Sequence, residues 1–262
     1  MEKPKQPHNN YKGVSANEYY TLSLIEKIGL VVFGVEEVMH LSNWNKSRVY
    51  NTLFSLEKKG LIKRIKRNSY AIAKDLNENL FKISTEVIKP SYISFWSALS
   101  FYGFTEQQLK TVQLVSTKQT GKVNIDSFRI EITAFQPKRF YGYKKMEGFV
   151  IAEPEKVLVD SLYRLDKCGG LNEFAKCLRN SWKHLNKKRF VDYLVRFNNK
   201  SVISRAGFLI ENLNLEVKQI ERLQRHKSKS FVNLNPKKGK SREYNKKWNV
   251  IVNHKIRVEE II

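Results

Sequence analysis

Residues 35–73, VEEVMHLSNWNKSRVYNTLFSLEKKGLIKRIKRNSYAIA, restrict the fold of this chain more than any other stretch. A short helix is expected over 35–41, followed by a polar turn, Ser42-Asn43-Trp44-Asn45. A second helix is expected over 46–59, where Val49, Leu53 and Leu56 recur at spacings of four and three and so share one face. Gly60 stops it, because glycine tolerates the left-handed backbone that ends a helix. Two alternating runs, 61–64 and 70–73, then flank Lys66-Arg67-Asn68-Ser69, the pattern of a hairpin with a cationic tip. Helix, turn, helix and basic hairpin in that order predict a winged helix-turn-helix. A small helical bundle with a solvated polar face is the competing reading, but it needs neither the glycine stop nor the cationic hairpin.

The second helix also nominates the residues that would touch a ligand. With Val49, Leu53 and Leu56 turned inward, Lys46, Ser47, Arg48 and Asn51 are left pointing outward near the helix N-terminus. Asn45 is placed to cap that terminus through its side-chain oxygen. Arg can fork onto guanine and Asn onto adenine in the major groove, while a basic hairpin beside the helix grips a phosphate or the minor groove. Asn45, Lys46, Ser47, Arg48 and Asn51, with Lys66, Arg67 and Asn68 of the hairpin, are therefore the expected contacts to double-stranded DNA.

Charge points the same way. The 262 residues carry 48 Lys and Arg against 25 Asp and Glu, a formal net charge of +23, while 41% of residues are hydrophobic. That combination describes a globular protein with a polyanionic partner. A Lys-rich solvated surface is the alternative. No apolar run approaches the roughly 20 residues needed to span a bilayer, so no membrane partner is expected. Residues 1–12 lack the apolar core of a signal peptide. Cys168 and Cys177 fall in a helical region, and a reduced, cytoplasmic protein is expected.

The chain reads as an α+β protein: an N-terminal winged helix-turn-helix followed by a mixed α/β C-terminal domain with a helical region and a basic tail. Residues 1–14 have the composition of disorder. A winged domain is expected over 15–75, opened by a helix at 17–28, with 30–33 as a third short strand. Residues 76–90 form a connector, and Pro90 marks the boundary of a domain over 91–262. Within it, the apolar run 92–102 predicts one buried helix ended by Gly103. Strands are expected at 111–116 and 128–134 with a turn near Gly121, and the sheet continues at 140–143 and 148–151. Glu153-Pro154-Glu155-Lys156 opens a helix that runs to Leu165, since Pro suits a first helical position and carboxylates suit the dipole there. Helices at 171–182, 187–197 and 201–213 follow. The cation-dense tail, 218–247, ends in a strand at 248–252.

Catalytic chemistry finds little support. Asp126, Glu131, Glu153, Glu155, Lys156 and Asp160 are the ingredients of a metal-dependent nuclease, but its spacing of acid, one residue, then Lys on a single strand is absent. Glu155 and Asp160 read instead as a solvated helix face pairing with nearby cations. The histidines are scattered, the cysteines stand nine apart without a second pair, and Gly169-Gly170 lacks the Lys-Ser of a phosphate loop. No catalytic residue, metal or cofactor is expected. In the tail, Arg222, Arg225, Lys227, Lys229, Lys237, Lys238, Lys240 and Arg242 form either a second nucleic-acid surface, with Tyr244 and Trp248 for base stacking, or a mobile loop with solvated cations and Trp248 packed into the last strand.

Four pieces in order resemble the AbiEi family of antitoxins and related regulators of virus-defence loci. They are Arg67-Asn68-Ser69-Tyr70-Ala71-Ile72; Tyr92-Ile93-Ser94-Phe95-Trp96-Ser97-Ala98-Leu99 with Tyr102-Gly103; Ile151-Ala152-Glu153-Pro154-Glu155-Lys156 with Val157-Leu158-Val159-Asp160; and Phe231-Val232-Asn233-Leu234-Asn235-Pro236 with Trp248-Asn249-Val250-Ile251-Val252-Asn253. The likeness runs from Tyr20 to Asn253. It departs from the family pattern at the hairpin tip, where Asn68 replaces Gly, and at Val157, where many relatives carry Ala. The resemblance implies a repressor that binds inverted repeats upstream of its own operon, and a C-terminal part that counters a nucleotidyltransferase-like toxin encoded next door without a lasting complex. A solitary regulator of the same build is the alternative, and the neighbouring gene separates the two.

Overall fold

Ser15 opens the first helix with a reciprocal cap. Its hydroxyl accepts from the Glu18 amide, and the Glu18 carboxylate accepts from the Ser15 amide. The computed structural model of the chain describes residues 13–106, 111–126, 128–239 and 241–257. The disorder expected at 1–14 falls almost wholly outside those residues. Contacts divide the chain into two compact units, with the division after Val87.

The first unit runs α1 (Ala16–Ile28), β1 (Phe33–Gly34), α2 (Val35–Ser42), α3 (Lys46–Lys58), β2 (Ile62–Lys66) and β3 (Ser69–Ile72), then α4 (Leu80–Val87). Gly29 ends α1 and Asn43 ends α2, both in the left-handed region, where Gly and Asn are the residues least penalised. Leu22 and Ile25 of α1, Val38 of α2 and Val49, Leu53 and Leu56 of α3 share one core with Phe33, Ile62, Tyr70 and Ile72. Each such side chain contributes about 1.5–3 kcal/mol by leaving water. The three strands form an antiparallel sheet in the order β1-β3-β2, with Phe33 opposite Tyr70 and Ile62 opposite Ile72. Only Phe33 of the expected 30–33 strand pairs. The connector is also more structured than its sequence suggests: α4 occupies much of it and buries Ile83 and Ser84.

A six-stranded mixed sheet, order β6-β7-β5-β4-β9-β8, organises the second unit. Its strands are β4 (Ser91–Ile93), β5 (Thr111–Ser116), β6 (Gly121–Ile125), β7 (Phe128–Ala134), β8 (Tyr143–Lys145) and β9 (Val150–Ala152), and α5 (Phe95–Phe101) follows β4. The single helix expected over 92–102 is therefore two elements. Ile93 pairs with Leu114 on one side and Ile151 on the other, and the chain turns into α5 at Ser94, with Phe95 at φ 52°. A continuous apolar run fits a central strand as well as a buried helix, so periodicity could not separate them. Gly121 likewise begins a strand rather than a turn, with Val123 opposite Ile130.

Helices α6 (Pro154–Tyr163), α7 (Leu171–Ser181), α8 (Lys187–Phe197), α9 (Lys200–Asn212) and α10 (Ile220–His226) complete the unit, with a small sheet of β10 (Val232–Asn233), β11 (Tyr244–Asn245) and β12 (Val250–Ile251). The reading of Glu155 and Asp160 as a solvated face is overturned. Every residue from Glu155 to Leu162 is buried. Lys156 donates to Asp160 and to the Tyr92 hydroxyl at 2.9 Å, and Ser94 donates to Asp160 at 2.8 Å. The rings of Tyr92, Phe135, Tyr141 and Phe197 stand 4.9–5.4 Å from the ammonium. Burial pulls the Lys156 pKa down and pushes Asp160 up, and each charge opposes the shift of the other. Charged residues early in a helix read as solvent-facing from sequence alone, because the groups that bury Lys156 and Asp160 come from elsewhere in the chain. Among the described residues no helix is long and apolar enough to cross a membrane.

Candidate nucleic-acid interface

Asn45 accepts from the Arg48 amide at 2.9 Å and starts α3. Lys46, Ser47, Arg48 and Asn51 are all exposed. Asn45, Ser47, Arg48 and Asn51 line one shallow open groove together with Asn17 at the start of α1. The Arg48 guanidinium lies 3.9 Å over the Trp44 ring and donates to the Asn17 side-chain oxygen Oδ1 at 2.6 Å. Trp44 in turn packs on Tyr20, with centroids 5.3 Å apart. Lys46 sits 6.0 Å over Tyr50 on the other flank. The exposed face thus carries pre-positioned donors and acceptors on a helix whose opposite side is fixed in the core.

Phe54 belongs to this face and was not among the expected contacts. It stands seven residues after Ser47 and three after Asn51, so it projects on the same side, and it is 68% exposed. Its signal in the sequence is a large apolar residue out of phase with Val49, Leu53 and Leu56. Asn17 and Trp44, which hold Arg48, were also missed, because their link to it is tertiary.

The inner side of α3 is anchored by a buried carboxylate. Ser55 donates to Glu18 at 2.6 Å and Lys59 at 2.7 Å, joining α3 to α1. Burial pushes the Glu18 carboxyl up, but the hydrogen bonds from Lys59, Ser55 and Ser15 outweigh it and bring it to about 2.

The hairpin presents Lys66, Arg67 and Asn68 at its tip, all exposed. Asn68 takes φ 57°, the left-handed conformation that Asn tolerates. A register shift between Arg64 and Lys66 bends the strand there. The Lys66 ammonium donates to the Glu86 carbonyl at 2.6 Å. Gly34 lets the tip dock: a Cβ there would stand 2.7 Å from the Asn68 carbonyl oxygen.

The tail is a folded element. Its three strands run in the order β10-β12-β11, and Trp248 is fully buried against Gly207 of α9. Trp248 is thus removed from the aromatics expected to stack on bases. Of the cations named in the tail, Arg222 pairs with Asp192, and Lys227 donates to the Lys247 carbonyl at 2.5 Å. Arg225, Lys229, Lys237, Lys238 and Arg242 are exposed. Lys240 lies outside the described residues.

The carboxylates considered for catalysis are engaged by donors of this chain, and Arg189 lies 3.7–3.8 Å from both Glu153 and Glu155. Glu131 accepts from Lys167 at 2.8 Å, Glu153 accepts from the Tyr193 hydroxyl, and Glu155 accepts from the Asn186 amide at 2.7 Å. Asp126 sits at a hairpin turn with φ 50°. Among the described residues no three His, Cys, Asp or Glu side chains stand close enough to hold a metal ion. Cys168 and Cys177 are buried, and burial pushes both thiols up, Cys177 to about 12.

No protein-family model and no curated protein matches the sequence. Among solved structures, the chain is similar to the RV2827C protein from Mycobacterium tuberculosis, with a TM-score of 0.67 over 91% of this chain and 92% of that one, at 10% identity. At that identity the likeness is one of fold alone. The chain is an α+β protein that shares its fold with RV2827C.

Proposed function

We propose that the first unit is a winged helix-turn-helix and that the chain is a sequence-specific repressor of its own operon, binding inverted repeats in double-stranded DNA. The observation that carries this reading is the outer face of α3. Ser47, Arg48, Asn51 and Phe54 stand exposed on a helix whose other side, Val49, Leu53 and Leu56, is wholly buried. A helix held this firmly can present base-reading groups to the major groove at little ordering cost. Arg67 at the hairpin tip supplies a phosphate or minor-groove contact. The antitoxin role, in which the second unit counters a nucleotidyltransferase-like toxin in the cytoplasm, rests on the resemblance in sequence.

Anisotropy titrations against the upstream DNA and a scrambled duplex, at two salt concentrations, test the DNA-binding reading. Arg48→Ala and Asn51→Ala are each expected to cost about 1–3 kcal/mol on the specific duplex and to relax base preference. Equal, salt-sensitive binding to both duplexes would overturn the repressor reading. The toxin link is tested by co-expression with an adjacent nucleotidyltransferase-like reading frame. Unrelieved toxicity, or the absence of such a frame, leaves a solitary regulator.

A further inference from the structure

We infer that the cationic C-terminal sheet is a second nucleic-acid site and that it takes single strands. Residues 218–247 hold eleven Lys and Arg against two carboxylates, Glu221 and Glu243. The scaffold under these charges is built. Trp248 fills the space over Gly207, whose missing Cβ would stand 2.1 Å from the ring. The Asn253 amide donates to the carbonyls of Asn235, Lys238 and Gly239 at 2.8–3.0 Å, and so fixes the loop that carries Lys237 and Lys238. Asn249 donates to the Ser228 carbonyl at 2.8 Å and holds the segment that leads into β10.

On this scaffold two aromatic rings face water. Phe231 is 44% exposed and Tyr244 is 51% exposed, with ring centroids 5.2 Å apart at 80°. Exposed Lys229 precedes Phe231 by two residues, and exposed Arg242 precedes Tyr244 by two. Rings interleaved with cations suit a strand whose bases stack on the aromatics while its phosphates meet the charges. A duplex offers no such fit, because its base faces are already stacked on one another. A protein partner fits less well, since lysine is depleted from protein interfaces.

The site lies in the second unit and does not depend on the α3 reading, so the test uses the full chain carrying Arg48→Ala and Asn51→Ala. Fluorescein-labelled oligouridylate and oligothymidylate of about twelve nucleotides, within the usual footprint of such sites, serve as probes in anisotropy titrations. Single strands are expected to bind more tightly than a duplex of the same length. Phe231→Leu with Tyr244→Leu keeps apolar bulk but removes the stacking faces, and is expected to weaken single-strand binding about tenfold or more. Phe231→Tyr with Tyr244→Phe is expected to bind like the parent, and unchanged thermal unfolding of both variants shows that the sheet is intact. Tighter binding of either strand than of the duplex supports the site, and a preference between ribose and deoxyribose strands identifies its source. The inference is overturned if the leucine variant binds as the parent does, or if unlabelled duplex displaces the single strands as well as they displace themselves.

Discussion

Glu18 ties two helices together through one carboxylate, and its ionisation makes a contribution to the stability of the first unit that depends on pH. Its carboxyl lies at about 2 in the folded state, below the ordinary range. Folding therefore favours the ionised form, and the contribution is complete above the unfolded pKa and is lost as pH falls toward about 2. Glu18→Gln is expected to lower stability at neutral pH by about 1–2 kcal/mol, and to flatten the loss between about pH 5 and pH 2 in denaturant titrations. An unchanged pH profile would show that Glu18 is not ionised against Lys59 and Ser55. Phe54 makes the opposite kind of prediction. Because it is exposed, Phe54→Ser should leave unfolding within about 0.5 kcal/mol of the parent. Binding to the upstream duplex should nevertheless weaken, through loss of an apolar contact such as one to a thymine methyl. Intact affinity would remove Phe54 from the interface.

At the scale of elements, a glycine makes room for the buried tryptophan of the tail. Gly207 lies within α9, where glycine weakens a helix by about 1 kcal/mol relative to alanine. Gly207→Ala would nonetheless destabilise, because the new methyl meets the Trp248 ring, which is buried and cannot swing away. A loss of about 1–3 kcal/mol or more is expected in chemical denaturation. A gain would mean that the ring has room to move. The same scale explains two misread segments. In 92–102, Ile93 was drawn into the sheet by neighbours distant in sequence, Leu114 and Ile151. In α6, Lys156 and Asp160 went into the core because the Tyr92 and Ser94 hydroxyls bond them there and the rings of Tyr92, Phe135, Tyr141 and Phe197 surround the ammonium.

Charge is a property of the whole molecule. At a formal +23, duplex DNA of any sequence should bind at low salt, with log affinity falling linearly against log salt. The specific recognition proposed for α3 should emerge only as salt rises and the counterion term shrinks. Arg67→Ala is expected to reduce the salt slope by about one and to weaken specific and random duplexes alike. A loss confined to the specific duplex would make Arg67 a base-reading residue.

What the sequence alone determined is local. Helical spacing of Val49, Leu53 and Leu56, the Asn45 cap and the alternation around Arg67 and Asn68 are written in neighbouring residues, and so were the exposed positions of Lys46, Ser47, Arg48 and Asn51. The helices near 171–182, 187–197 and 201–213 were legible for the same reason. Only the tertiary structure decided what depends on distant partners. It set Arg48 between Trp44 and Asn17, Lys156 and Asp160 in an aromatic core, and Trp248 inside rather than out. It also left Phe231 and Tyr244 facing water together. Periodicity says which side of an element is apolar. Whether a charge or a ring is buried depends on the groups brought against it from elsewhere in the chain, and no local pattern encodes them.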